Sequence, residues 1–131
     1  MKEFILYILY YDVFYYFLHR LLHTKYLYSI HKIHHKKNIP DYYDYYNIHI
    51  LELPITSVGL IVAIYLYKLY IYQLLYAILL INIRGILTHD NQFIYLVGDH
   101  HLIHHRYYKC NYGEYWLDYI FGTICNKKLN L

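Results

Sequence analysis

Nine of the eleven histidines fall into three short groups, and these groups constrain the fold more than any other feature of the chain. The groups are HRLLH at 19–23, HKIHH at 31–35 and HHLIHH at 100–105. Most of the histidines in each group are spaced three or four positions apart, so on a helix their imidazoles leave the same face. The spacing therefore predicts short helices that present rows of imidazoles to a common site.

The histidine groups lie beside long apolar stretches, which predict an all-α fold in the form of an integral-membrane helical bundle. Residues 4–22 are almost entirely apolar or aromatic, and as a helix they would be about 28 Å long, close to the thickness of the hydrocarbon layer. Residues 50–88 form a second apolar block that divides near Lys68 into the two arms of a membrane hairpin. The first arm is short, so it would span a bilayer only if tilted, or it would be re-entrant.

The polar segments between and after these stretches are predicted to share one side of the membrane. Residues 23–49 form a histidine-rich segment, and residues 89–131 form a cap that carries the last histidine group, within a single domain of 1–131. That side would hold ten of the twelve Lys and Arg residues, which is typical of a cytosolic face. All histidine groups are therefore expected at the cytosolic side.

Charge and cysteine usage narrow the function classes. The net charge is +3 and the basic residues do not form a stripe, so we expect no nucleic-acid partner. Cys110 and Cys125 lack a CxxC spacing; a reduced, cytosol-facing setting fits them best, with one disulfide as the open alternative. The apolar N-terminal segment has no small-residue cleavage site, which predicts that it is retained.

Dense imidazoles beside lipid favour a metal site. Neutral imidazole binds zinc, copper, iron and nickel, and a single structural zinc needs only four ligands. Eight or more convergent histidines therefore predict two metal ions.

Asp12 precedes His19 by two helical turns, and a carboxylate in an apolar helix is costly without a partner. We expect Asp12 to accept a hydrogen bond from an imidazole, or alternatively to form a hydrogen bond between packed helices.

The motifs together resemble the integral-membrane fatty acid hydroxylase and sterol desaturase superfamily of histidine-box di-iron oxygenases. Three histidine boxes, a hairpin between them and an ordered tail carry the resemblance over nearly the whole chain. The motifs in order are DVFYYFLHRLLH (12–23), HKIHH (31–35), HILE (49–52), HLIHH (101–105), NYG (111–113), WLD (116–118) and FGT (121–123).

The resemblance implies an enzyme that uses two iron ions and O2 to hydroxylate, desaturate or oxidatively demethylate a lipid, either a sterol or a fatty acyl chain or sphingolipid. It also implies a separate reductase or electron-transfer protein and a membrane of endoplasmic-reticulum type, and zinc is expected to replace iron in some purified material. The implied catalytic metal ligands are His19, His23, His31, His34, His35, His89, His101, His104 and His105. The residues expected to support them are Asp12, His49, His100, Asn111 and Asp118.

One position departs from the pattern. Relatives on the hydroxylase side carry a further HxxxH box where this chain has His89 and then Phe93. The candidates for the missing ligand are Asn91, Gln92, a water molecule, His49 and His100. Two other functions stay open: a non-enzymatic zinc- or copper-binding membrane protein, and a truncated, inactive relative. A basic histidine-rich surface that touches lipid headgroups is the simplest alternative for the boxes.

Overall fold

The computed structural model describes residues 2–129, and within that range it contains helices and 3-10 turns but no strand. The predicted all-α class is therefore confirmed. The α-helices are α1 (Lys2–Leu22), α2 (Tyr28–His31), α3 (Glu52–Tyr67), α4 (Ile71–Thr88), α5 (Ile94–Val97), α6 (His100–Tyr107) and α7 (Tyr115–Ile120). The 3-10 turns cover His34–Lys36, Tyr42–Tyr46 and Asn91–Phe93.

The three long helices pack around a small apolar core. Tyr7 from α1, Ala63 from α3 and Ala77 from α4 are fully buried together. The small side chains of Ala63 and Ala77 let the helices approach closely. Gly59 is required for the same reason, because a Cβ atom there would lie 2.2 Å from the ring of Phe14. The predicted hairpin is present, and it turns at a residue in the left-handed region, Lys68, with φ of 46°.

Much of the outer surface of the hairpin is apolar and exposed. Large side chains such as Tyr65, at 81% exposure, and Ile71, at 70%, have no protein neighbour to cover them. Among residues 2–129, α4 is the one helix that is both long and apolar enough to cross a membrane, and α3 is apolar but shorter. The predicted membrane bundle and its cytosolic cap stay predictions.

The histidine-rich segments gather at the C-terminal ends of α1 and α4. Tyr16 of α1 packs with Tyr112 and Leu117 in a second buried cluster, which fixes the last part of the chain against α1. His19 lies in the last turn of α1, and His89 is the C-cap residue of α4. The ends of both helices therefore point their imidazoles toward α6.

Candidate metal centre

Nine imidazoles from four parts of the chain converge into two adjacent groups. In each group the ring nitrogens that could bind a metal all lie within 4.8 Å of one another. The first group contains His19, His23, His31, His35 and His104, and the second contains His34, His89, His101 and His105. These are the nine residues that the motifs single out, and seven of them are buried. Their role as ligands stays a prediction.

The two HxxHH boxes each contribute to both groups. In the box at 31–35 the first and last histidines enter the first group, and the middle one enters the second. In the box at 101–105 the assignment is reversed, so the first and last histidines enter the second group. The two boxes face each other, and the paired histidines at the end of each box divide between neighbouring sites.

Within the first group the Nε2 atoms face one another at hydrogen-bonding distance. His19 Nε2 lies 2.9 Å from His31 Nε2, His31 Nε2 lies 3.1 Å from His35 Nε2, and His35 Nε2 lies 3.1 Å from His104 Nε2. The second group has the same arrangement, with 3.0 Å between the Nε2 atoms of His89 and His34. Nε2 is therefore the atom that most of these rings turn toward the centre of their group.

The opposite ring nitrogens donate to fixed acceptors. His19 Nδ1 donates to the carbonyl oxygen of Tyr112 at 2.6 Å, and His104 Nδ1 donates to that of Cys110 at 2.6 Å. His31 Nδ1 lies 2.8 Å from Glu52 Oε1. A carbonyl or carboxylate oxygen accepts the hydrogen bond, so the proton of each neutral ring resides on Nδ1. The Nε2 atoms consequently present lone pairs.

Lone pairs that face each other at about 3 Å repel unless a cation lies among them. Burial keeps the rings neutral, because it lowers the pKa of His35 to about 3 and that of His89 to about 4. Both ring nitrogens of His105 are buried and have no hydrogen-bond partner. Neutral, convergent and unsatisfied imidazoles are the donor set that a transition-metal ion requires, so the residues present fit metal binding.

Asp118 fixes the loop whose backbone carbonyls, at Cys110 and Tyr112, accept hydrogen bonds from the imidazoles. Its carboxylate accepts from the backbone N–H groups of Tyr112 and Gly113 at 2.8 and 3.0 Å, from the Thr123 hydroxyl at 2.6 Å and from His100 Nε2 at 2.9 Å. Burial favours the neutral acid, but these hydrogen bonds hold the pKa of Asp118 below its usual value. The charged carboxylate therefore fixes the position of the Tyr112 carbonyl.

Asn111 shapes the same loop. It adopts a left-handed conformation with φ of 56°, which places it between the two acceptor carbonyls of Cys110 and Tyr112. Its side chain donates to the carbonyl oxygen of His100 at 2.9 Å and accepts from the Cys125 N–H at 2.7 Å. The NYG motif thus forms a bend from which both carbonyls can accept from imidazoles of the first group.

Two of the predicted supporting residues contact other groups instead. Asp12 pairs with Arg84 at 2.5 Å and not with an imidazole, because the packing of α1 against α4 brings the two side chains together. The alternative prediction for Asp12, a hydrogen bond between packed helices, is therefore the one that the structure shows. His49 belongs to neither histidine group, since its Nδ1 accepts from the backbone N–H of Leu51 at 3.1 Å beside the start of α3.

The departure at Phe93 leaves the second group with four histidines. Phe93 ends a 3-10 turn and is partly exposed, and Asn91 and Gln92 are exposed on the same turn. None of the three belongs to either group, and His100 also lies outside both because it pairs with Asp118.

Motif spacing did not identify three ionisable residues near the site, Glu52, Arg84 and Glu114. Glu52 is 3% exposed and bonds to a ligand candidate, although only its place in HILE gave a signal. Arg84 bridges Asp12 and Glu114, at 2.5 and 3.3 Å. Asp12 was singled out because an ionisable side chain in an apolar helix is costly without a partner. The same criterion applies to Glu52 and Arg84, which also lie in an apolar stretch, and it could have identified them from the sequence.

A cavity of about 170 Å³ opens beside the second histidine group. Its lining includes His89 and His101 of that group together with the side chains of Asp12, Arg84 and Glu114. The remaining wall is largely aromatic and aliphatic, with several tyrosine rings. The cavity thus joins the four-histidine group to a polar, charged edge.

Comparisons with known proteins agree with the motifs. The model of a family described as Fatty acid hydroxylase matches residues 4–123. A Delta(7)-sterol 5(6)-desaturase of Gibberella zeae is 32% identical over 91% of this chain and 40% of its own length. A Delta(7)-sterol-C5(6)-desaturase of Nicotiana tabacum is 30% identical over 83% and 44%, respectively, and a Delta(7)-sterol 5(6)-desaturase of Schizosaccharomyces pombe is 30% identical over 92% and 38%. The chain thus spans about two fifths of the length of these relatives. No solved structure matches it.

Proposed function

The chain belongs to the fatty acid hydroxylase family, as its motifs predict, and from this premise we propose that it acts as a lipid-modifying oxidoreductase that uses O2. The observation that carries the proposal is the convergence of nine neutral imidazoles, several of them with the proton held on Nδ1, into two metal-sized groups. A solvated basic surface would not need buried rings with fixed tautomers.

Two iron ions are the proposed cofactors, one in each histidine group. Bound iron would supply the capacity to use O2 and external electrons to break an unactivated C–H bond of the substrate. The protein would supply the ligands, and it would hold their tautomers through Glu52 and through the carbonyl oxygens of Cys110 and Tyr112. A separate electron-transfer protein or reductase would deliver the electrons.

The cavity limits which part of a lipid reaches the site. Pockets that enclose a drug-sized ligand measure roughly 300–1,000 Å³. The cavity of about 170 Å³ beside the second group would admit only the reacting end of a sterol or acyl chain. The rest of the lipid would lie along the exposed apolar surface of α3 and α4, which fits an integral-membrane protein whose histidines face the cytosol.

We propose desaturation of a sterol as the reaction, because the relatives are named as Delta(7)-sterol 5(6)-desaturases. In such a reaction two neighbouring C–H bonds are broken, a C=C bond forms, and O2 with two electrons and two protons leaves as two waters. The charged edge formed by Asp12, Arg84 and Glu114 offers hydrogen bonds to a sterol hydroxyl near the reacting carbons.

Metal analysis and oxygen consumption test this proposal. The full chain is purified anaerobically in detergent, reconstituted with ferrous iron and supplied with reductant and a Delta(7)-sterol. We expect about two irons per chain and oxygen uptake that depends on both the sterol and the reductant. His104→Ala should lose iron and activity, whereas His49→Ala, which changes a histidine outside both groups, should retain them. Equal iron content in the two variants would contradict the proposed ligand set.

A non-enzymatic zinc protein is the second candidate, because one observation favours it. The second group contains four histidines, which is the ligand number of a closed tetrahedral zinc site. Under this function the purified chain would hold zinc tightly and consume no oxygen after iron reconstitution. The same preparation therefore distinguishes the two candidates.

A further inference from the structure

Two thiols flank the bend that supports the first histidine group. Cys110 and Cys125 are free and partly exposed. Backbone contacts hold their segments side by side, since Asn111 N–H donates to the Thr123 carbonyl at 2.8 Å and Cys125 N–H donates to the Asn111 side chain at 2.7 Å. The thiol of Cys110 therefore lies against that of Cys125.

We propose that Cys110 and Cys125 form a reversible disulfide that controls how firmly the first histidine group retains its metal. The coupling follows from the position of Cys110, whose carbonyl oxygen accepts from His104 Nδ1 at 2.6 Å. Two residues further on, the Tyr112 carbonyl accepts from His19 Nδ1. The metal-retention part rests on the proposed function, whereas the disulfide itself does not.

Hydrogen peroxide is the proposed oxidant, and the thiols react one after the other. Both thiols are partly exposed, and either order of reaction gives the same disulfide. When Cys125 reacts first, its sulfur attacks one oxygen of the peroxide; the O–O bond breaks, a sulfenic acid forms and one water leaves. The sulfur of Cys110 then loses its proton and attacks the Cys125 sulfur, which expels a second water. Two thiols are oxidised by two electrons, and one peroxide is reduced to two waters.

The disulfide would restrict local opening of the loop. Release of a metal from the first group requires His19 and His104 to move away, and their acceptor carbonyls move with the bend around Asn111. A covalent link between residues 110 and 125 closes this segment and lowers the number of open conformations available to it. The oxidised chain should therefore release metal more slowly than the reduced chain.

Peptide mapping tests the disulfide. The full chain is treated with hydrogen peroxide or with a phosphine reductant, alkylated, and digested with one protease that cleaves after Lys and Arg and another that cleaves after Glu114, which lies between the cysteines. We expect two separate peptides from the reduced chain and one disulfide-joined pair from the oxidised chain. Cys125→Ser should give no joined pair. Cysteines that oxidise singly, or only between two chains, would overturn the proposal.

Metal release tests the coupling. Zinc-loaded chain, oxidised or reduced, is mixed with excess chelator, and zinc release is followed with a chromogenic indicator. We expect release from the oxidised chain to be slower by about tenfold, and Cys125→Ser to show one rate under both conditions. Equal rates in a chain whose disulfide has been mapped would overturn the coupling. A chain that binds no zinc or iron at all would instead overturn the proposed function, while the peptide map still decides the disulfide.

Discussion

Asp118 gives the sharpest test of how the site is held together. Its Oδ1 accepts from the Tyr112 N–H and the Thr123 hydroxyl, and its Oδ2 accepts from the Gly113 N–H and from His100. In Asp118→Asn one oxygen becomes an NH2 group that cannot accept, so two of these hydrogen bonds are lost. At roughly 1.5–3 kcal/mol for each hydrogen bond to a charged group, the free energy of unfolding should fall by about 3 kcal/mol or more.

The matched control is Asp99→Asn, which makes the same chemical change at a carboxylate that forms no capping hydrogen bond at the start of α6. Chemical denaturation of the metal-free chain in detergent at pH 7 measures both variants, and the control should stay within about 0.5 kcal/mol of the unchanged chain. If the two variants were equally stable, the four hydrogen bonds of Asp118 would not stabilise the loop and the reasoning would fail.

The contribution of Asp118 to the free energy of unfolding should depend on pH. The pKa of Asp118 is lower in the folded chain than in the unfolded chain, so its contribution to stability is fully present above the unfolded value of about 3.9. The contribution is lost as the pH falls below that value toward the folded pKa. The stability difference between the unchanged chain and Asp118→Asn should therefore shrink below about pH 4.

Three further substitutions test other parts of the structure. Glu52→Gln replaces the buried carboxyl group that hydrogen-bonds to His31 Nδ1 and should weaken zinc binding by about 10–100-fold in a chelator competition. Gly85→Ala should destabilise the fold by about 1–3 kcal/mol in thermal unfolding, because the new Cβ would lie 2.2 Å from a tyrosine ring. Arg84→Gln leaves the buried Asp12 carboxylate without its cation and should cost about 3 kcal/mol, whereas Arg84→Gln together with Asp12→Asn should recover part of that loss.

The helices could be predicted from the sequence, because they depend on the pattern of apolar residues within a contiguous stretch. The apolar stretch at 4–22 forms α1, and the block at 50–88 forms α3 and α4 with a turn at Lys68. The all-helical class and the family follow from the same patterns. These features could be predicted because apolar stretches and the order of motifs are visible in the sequence without knowledge of the fold.

Partners across the fold could not be predicted in the same way. Asp12 needs a partner, and the sequence shows that need without showing which group meets it. Helix packing brings Arg84, 72 residues away, to that carboxylate, whereas the imidazoles obtain their acceptors from Glu52 and from backbone carbonyls. A backbone carbonyl carries no sequence signature, so the acceptor role of Tyr112 is visible only in the structure.

The division of each HxxHH box between two groups explains why the motif has its particular spacing. In the box at 101–105, which lies on α6, the first and last histidines are one helical turn apart and reach one site, while the middle one is rotated toward a neighbouring site. The box at 31–35 divides in the same way, although it runs from the end of α2 into the 3-10 turn at His34–Lys36. When two such boxes face each other in opposite roles, each site receives two imidazoles from one box and one from the other. His19 in the last turn of α1 and His23 just after that helix complete the first group, and His89, the C-cap residue of α4, completes the second. Each group therefore needs both boxes, and the first group also needs the end of α1 whereas the second needs the end of α4.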